Sequence, residues 1–308
     1  MAIIKETGTF KSTSKEPVNI FYAVWRDDSV KPVGVLQMEH GINEYIERYE
    51  PLAEFLAKQG YIVCGDDHLG HGKTSTLAHI AVFPKDTQKA IVSDMYELYK
   101  IMHKKYSNLP YFLYGHSLGS LIVRTYLTKH SKDLKAAIIC GTGYFPSVLS
   151  VLNPVLSILS RLLRVDYDKM MQKDMTPPDK TTPPKSEMLQ LFWLSYDKPN
   201  IEEYVLNPYD GAPANKSILN LAGCLLDGGK PGWIRRISKK LPMYIISGDA
   251  DPVGLWGRGP KIIYREMKAA GRNVELKIYP HTRHEIHNEP TVKDEVYNDI
   301  LTFLNKNL

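Results

Sequence analysis

Residues 111–119 read Tyr111-Phe112-Leu113-Tyr114-Gly115-His116-Ser117-Leu118-Gly119, and this stretch decides the fold. Four apolar residues of strand character run into a serine flanked by glycines at a spacing of two. A helical pattern then extends from Leu118 to His130. The spacing suits a sharp turn from strand to helix. Glycines on either side of the serine remove side-chain clashes, so Ser117 can sit strained with its hydroxyl exposed. The next amide, that of Leu118, points at a developing oxyanion from a helix N-terminus.

Working outward, short runs rich in Val, Ile and Tyr read as strands at Val18–Trp25, Val33–Met38, Tyr61–Cys64, Ala136–Cys140, Met243–Ile246 and Val274–Tyr279. Helical patterns occupy Tyr49–Lys58, Lys89–Lys104, Lys261–Ala270 and Val292–Asn305. Strands alternating with helices predict an α/β fold whose mostly parallel sheet is covered on both faces.

The alternation stops between about Pro146 and Lys240, a stretch that holds most of the prolines. Asn153-Pro154 places a capping side chain before a proline at a first helical position. Apolar pairs at Val155/Leu156, Ile158/Leu159 and Leu162/Leu163 then predict an amphipathic helix. The expected organisation is a core of residues 1–145 and 241–308, with residues 146–240 inserted as a helical cap.

A serine hydroxyl needs a base, and the base needs an orienting carboxylate. Two later strands run into suitable loops. One is Ser247-Gly248-Asp249-Ala250-Asp251-Pro252-Val253-Gly254, which offers Asp249 and Asp251. The other runs from Pro280 to Glu289 and offers His281, His284 and His287. An earlier loop, Met38-Glu39-His40-Gly41-Ile42, supplies a second oxyanion donor in the amide of Ile42, with Gly41 allowing close backbone approach. The three histidines lack the H-E-x-x-H pairing that puts two ligands on one helical face, so no metal is expected. Asp67–Thr74, DHLGHGKT, imitates the end of a phosphate-binding loop, but Asp67 stands where that motif needs glycine. It reads as a structural loop.

Taken together, His40-Gly41 with Glu44 and Arg48-Tyr49, Asp67-His68-Leu69-Gly70-His71-Gly72, Gly115-His116-Ser117-Leu118-Gly119, Gly248–Gly254, and Arg283-His284-Glu285 with Asn288-Glu289 resemble one family. It is the monoacylglycerol lipase and lysophospholipase branch of the α/β-hydrolases, grouped by sequence with serine aminopeptidases. The resemblance covers nearly the whole chain and is weakest in the insertion. It implies Ser117 as nucleophile, Asp251 as acid and His284 as base, with the Ile42 and Leu118 amides as oxyanion hole and no cofactor. Asn43 departs from the family, which has a small residue there. The expected substrate is a single-acyl lipid ester, with Glu44, Arg48, Leu156 and Leu159 as pocket residues.

The chain has 308 residues, 43% of them apolar and 24% charged, ample for a packed core. Its net charge of +5 is scattered, which gives no reason to expect nucleic acid. Arg161 and Arg164 share the cap helix with the apolar pairs, and the expectation is peripheral contact with an anionic membrane surface. No apolar run is long enough to span a bilayer, the N-terminal residues are polar, and three cysteines make no disulfide framework. The cytoplasm is the expected compartment.

Overall fold

The computed structural model describes residues 3–144, 191–210 and 232–308, together with short pieces at 220–221, 223–224 and 228–229. Eight strands form one sheet: β1 (Ile4–Lys11), β2 (Asn19–Arg26), β3 (Gly34–Glu39), β4 (Tyr61–Asp66), β5 (Tyr111–His116), β6 (Ala136–Cys140), β7 (Met243–Gly248) and β8 (Val274–Tyr279). Their order is β1-β2-β4-β3-β5-β6-β7-β8. β1, β2 and β4 pair antiparallel, and all other neighbours are parallel.

Side-chain alternation explains the two layers. On β5, Tyr111 and Leu113 join one buried cluster, while Phe112 and Tyr114 join the other. β7 splits in the same way, with Met243 and Ile245 facing one side and Tyr244 and Ile246 the other. The first face is covered by α2 (Thr87–Lys105), α3 (Leu118–His130) and α6 (Arg258–Ala269). The second is covered by α1 (Glu50–Ala57) and α7 (Lys293–Lys306). Buried on both sides, β3 to β7 carry near-continuous apolar runs. Emptying one such site, as in Phe112→Ala, costs about 3–5 kcal/mol.

Strand β1 departs from expectation. IKETGTFK is too polar to stand out as a strand, and it forms because it is an edge. It pairs with β2 from Ile4↔Arg26 to Lys11↔Asn19 and alternates half-buried with exposed residues. Its charges also blunt the open edge, with Lys5 meeting Glu47 at 2.6 Å and Glu50 at 3.0 Å.

Between β6 and β7 the described residues contain two helices, α4 (Lys198–Leu206) and α5 (Trp233–Arg236). The helix expected near Val155–Val165, with Leu156, Leu159, Arg161 and Arg164, lies outside the described residues. No described helix is long and apolar enough to cross a membrane.

Candidate active site

All parallel strands end on one edge of the sheet, and the loops that follow β3, β5, β7 and β8 converge there. Ser117 occupies the turn between β5 and α3 with φ 51° and ψ −118°, a left-handed value that is uncommon for a residue with a side chain. Its amide bonds to the Cys140 carbonyl at 3.0 Å, and its carbonyl accepts the Ser120 amide at 3.0 Å and the Ser120 hydroxyl at 2.5 Å. These bonds over-determine the strained turn. The flanking glycines are required by close approach. A Cβ at Gly115 would meet the Gly119 backbone, and one at Gly119 would meet the Glu39 carbonyl.

The loop after β3 comes against the same turn, since a Cβ at Gly41 would lie 3.1 Å from the Ser117 Cβ. Among the described residues, neither the Ile42 nor the Leu118 amide donates to a backbone carbonyl in a turn, loop or cap. Glu44 accepts the Gly41 amide at 2.5 Å and the Tyr49 hydroxyl at 2.8 Å, and so folds the loop back on itself. Asn43 adopts φ 60° here, a left-handed conformation that asparagine tolerates better than most residues. Asp67 ties down the adjoining segment by accepting the amides of Ile46 at 2.8 Å and Lys73 at 2.6 Å. DHLGHGKT is thus a brace for the loop containing Ile46.

Of the two aspartates, Asp251 meets an imidazole. Its Oδ1 lies 3.0 Å from Nδ1 of His284, and both side chains are fully buried. Asp251 also accepts the Val253 amide at 2.9 Å and the Ser247 hydroxyl at 3.3 Å. Asp249 is half-buried and its carboxylate has no such partner among the described residues. Of the three histidines, His281 is exposed and His287 stacks on Tyr49 at 4.7 Å. Nε2 of His284 is buried and makes no hydrogen bond among the described residues, so it is open to accept a proton.

His116 lies under this pair. Its ring sits 4.6 Å from that of His284, and its Nε2 is 3.2 Å from the His284 carbonyl. Burial works against its charged form, but the hydrogen bond and charge of Glu44, 3.2 Å from Nδ1, hold the group above its ordinary value. On the other side, His68 stacks on His40 at 3.9 Å and donates its backbone amide to His40 Nε2 at 3.0 Å. His40 Nδ1 then carries the hydrogen and donates to the Gly41 carbonyl at 2.7 Å. Burial drives His40 well below its usual value, in keeping with a neutral ring.

Glu44 and Arg48 are buried in networks of their own. Arg48 bonds to Glu285 at 3.0 and 3.1 Å, to Asp210 at 3.3 Å, to Asn200 at 3.2 Å and to Glu203. Burial opposes ionisation of Glu285, yet Arg48 outweighs it and holds the carboxyl below its usual range. Leu156 and Leu159 lie outside the described residues, so the pocket residues expected from sequence are not brought together here.

Trp193 had no sequence signal, and Arg283 and Glu289 entered only as part of the family resemblance. Trp193 lies with its ring 5.3 Å from that of His284. Arg283 is 3% exposed, with its guanidinium 3.6 Å from the Phe192 ring centroid and 4.0 Å from that of Tyr196. Glu289 accepts the Ser195 hydroxyl at 2.9 Å and the Tyr196 amide at 3.0 Å, and the Glu285 amide donates to the Leu194 carbonyl at 3.0 Å. The residues flanking His284 thus fasten the segment 192–200 over it. Two buried groups of metal-ligating side chains also occur among the described residues: His116 with Cys140 and His287, and Glu39 with Asp66 and His68.

A family model described as "Serine aminopeptidase, S33" matches residues 30–291. The chain is 27% identical to a monoacylglycerol lipase of Mycolicibacterium smegmatis over 294 residues, covering 93% of this chain and 94% of the relative. It is 24% identical to a human monoglyceride lipase over 293 residues, covering 91% and 85%. Among solved structures, a thermostable carboxyl esterase from Bacillus coagulans, in complex with glycerol, superposes with a TM-score of 0.86 at 29% identity, covering 100% of this chain and 99% of that one.

Proposed function

The chain belongs to the serine aminopeptidase S33 family of α/β-hydrolases, and on that premise we propose that it hydrolyses single-acyl lipid esters, monoacylglycerol or lysophospholipid, through an acyl-enzyme on Ser117. The carrying observation is the buried Asp251–His284 hydrogen bond of 3.0 Å on the sheet edge where Ser117 turns. Nε2 of His284 takes the Ser117 proton as the hydroxyl attacks the ester carbonyl, then gives it to the leaving alcohol. Water repeats the sequence on the acyl-enzyme. Asp251 holds the imidazole in the tautomer whose free nitrogen faces the serine and stabilises its cation. The Ile42 and Leu118 amides receive the oxyanion, each contributing about 3 kcal/mol to barrier lowering. His40, by holding the Gly41 carbonyl, sets the direction of the Ile42 amide in the same planar peptide. The chemistry requires no cofactor.

The lipid substrate is supported by the monoacylglycerol lipases among the relatives and by the apolar pairs in the sequence of residues 155–163. Residues 146–240 act in this reading as a cap that receives the acyl chain, and its basic residues Arg161 and Arg164 meet an anionic lipid surface. Each buried methylene contributes about 0.8 kcal/mol, so affinity selects long chains. Initial rates on p-nitrophenyl esters from two to sixteen carbons, with Ser117→Ala alongside, test this directly. A maximum at eight or more carbons that vanishes in the variant supports the proposal. A maximum at two to four carbons favours a short-chain carboxylesterase, the reading to which the likeness to the Bacillus esterase lends weight. Aminopeptidase action is disfavoured because, among the described residues, Glu44, Glu203, Asp210 and Glu285 all converge on Arg48 and so are not free to receive a substrate amine.

A further inference from the structure

We propose that His116, Cys140 and His287 form a binding site for a borderline-soft divalent cation of the zinc class, and that its occupation blocks the serine centre. The three residues come from the end of β5, the end of β6 and the loop after β8. Their ligand atoms all lie within 4.8 Å of one another, and all three side chains are buried. Two imidazoles and a thiol make a donor set that zinc binds with bonds of about 2.0–2.3 Å. Tetrahedral bonds of that length separate ligands by about 3.5 Å, so side-chain adjustment alone closes the site.

His287 points independently to an occupant. Both of its ring nitrogens are buried and neither has a hydrogen-bond partner among the described residues. A buried polar atom left in that state is destabilising, and a cation supplies the missing partner. The ring is already oriented, stacked on Tyr49 at 4.7 Å and edge-on to His116 at 4.7 Å.

His116 has the second partner that metal-bound histidines have. The Tyr49 hydroxyl, which donates to Glu44, lies 2.8 Å from its Nδ1 and Glu44 lies 3.2 Å away, so Nδ1 carries a hydrogen and Nε2 is the atom a metal would take. That same Nε2 contacts the His284 carbonyl at 3.2 Å, and the Cys140 carbonyl holds the Ser117 amide at 3.0 Å. A cation on Nε2 therefore takes that contact away from the His284 carbonyl and displaces a support of the proposed base. The Cys140 thiol and the His116 Nε2–H each give up a proton to solvent as the metal bonds form, so binding strengthens with rising pH. The Glu39, Asp66 and His68 group is a weaker candidate, because its one imidazole has contacts at both nitrogens and it holds no ring left unpartnered as His287 is.

The test titrates chelator-stripped full-length protein with zinc against a chromophoric chelator, and with cadmium under ultraviolet absorbance. The expected result is one tight equivalent, with a thiolate-to-cadmium charge-transfer band. Cys140→Ala and His287→Phe each weaken binding at least about tenfold, and Cys140→Ala loses the band. Cys140→Ser replaces Cys140→Ala should the latter fail to fold, as read by circular dichroism. Zinc should also inhibit ester hydrolysis, reversibly with chelator, and Cys140→Ala should resist it. Absence of a stoichiometric equivalent, a missing cadmium band, or unchanged affinity in both variants overturns the site. Binding without inhibition overturns the blocking role. The binding arms do not depend on hydrolysis, so failure of the proposed enzymatic function reads out separately.

Discussion

The Arg48 guanidinium grips both carboxylate oxygens of Glu285, at 3.0 and 3.1 Å, and Glu285 directly follows His284. The pair is buried, with side-chain exposures of 2% and 1%. Arg48 also reaches Asn200, Glu203 and Asp210 from the connection between β6 and β7. One guanidinium therefore ties that connection to the loop that holds the proposed base.

Arg48→Met leaves four carboxylates facing one another with no cation. Removing one partner of a buried pair costs about 3–5 kcal/mol. Denaturant unfolding should show a loss in that range, with a larger fall in kcat than rise in KM, because the His284 loop moves while the apolar groups that bind an acyl chain remain. An Arg48→Met protein with unchanged stability and kcat would dissociate this network from the base.

Arg283 makes a useful contrast. It has two stacked aromatic faces and no carboxylate partner among the described residues. Its loss removes cation–π contacts of about 2 kcal/mol when desolvated, and it strands no opposite charge. Arg283→Met should therefore destabilise clearly less than Arg48→Met in the same unfolding experiment. A larger effect at Arg283 would reverse the assignment of Arg48 as the main tie.

Stability on the alkaline side should follow His68, which is pushed up to about 9: burial opposes its charge, and Asp66 beside it more than offsets that. A raised imidazole value means that the folded state holds the proton more tightly. The contribution is complete below the ordinary 6.5 and is lost as pH climbs through about 9. Asp67, raised by burial to about 7, shifts stability between 3.8 and 7 and so acts in a lower window. Melting temperatures from pH 6.5 to 9 should fall for the wild-type protein and fall less steeply for Asp66→Asn. Equal slopes would show that the His68–Asp66 pair does not govern this range.

The turn at Ser117 leaves no room beside α3. A Cβ at Gly119 would strike the Glu39 carbonyl, which is backbone at the end of a central strand and cannot swing aside. Gly119→Ala should lose soluble, cooperatively melting protein, whereas Ser117→Ala should melt like the wild type. A well-folded Gly119→Ala protein would mean that the strand end yields.

These contrasts mark where the sequence was legible. Strands β3 to β7 are read from apolar runs because each is buried on two faces, and the G-x-S-x-G turn is read because steric demand fixes its glycines. β1 escaped because an edge strand needs only half its residues apolar. Arg48 and Glu285 stand 237 residues apart, and no local pattern relates them. The same is true of His116, Cys140 and His287, which stand in three separate segments of the chain. Asp249 and Asp251 share one loop and one chemistry, so spacing alone could not rank them. Family resemblance favoured Asp251, and the structure adds a geometric reason, since only its carboxylate reaches an imidazole.

That geometry yields a discriminating pair of variants. Asp251→Asn keeps the shape but presents either a neutral oxygen or an amide to His284 Nδ1. The tautomer with a free Nε2 is then no longer enforced, and the imidazolium loses its counter-charge. The kcat on a p-nitrophenyl ester should drop by about 10⁴, with thermal stability little changed. Asp249→Asn, at a half-buried residue with no hydrogen bond to the ring, should stay within about threefold of wild type, in keeping with the small effects of substitutions away from such contacts. Comparable losses in the two variants would assign the acid role to the loop as a whole, and the reverse order would move it to Asp249.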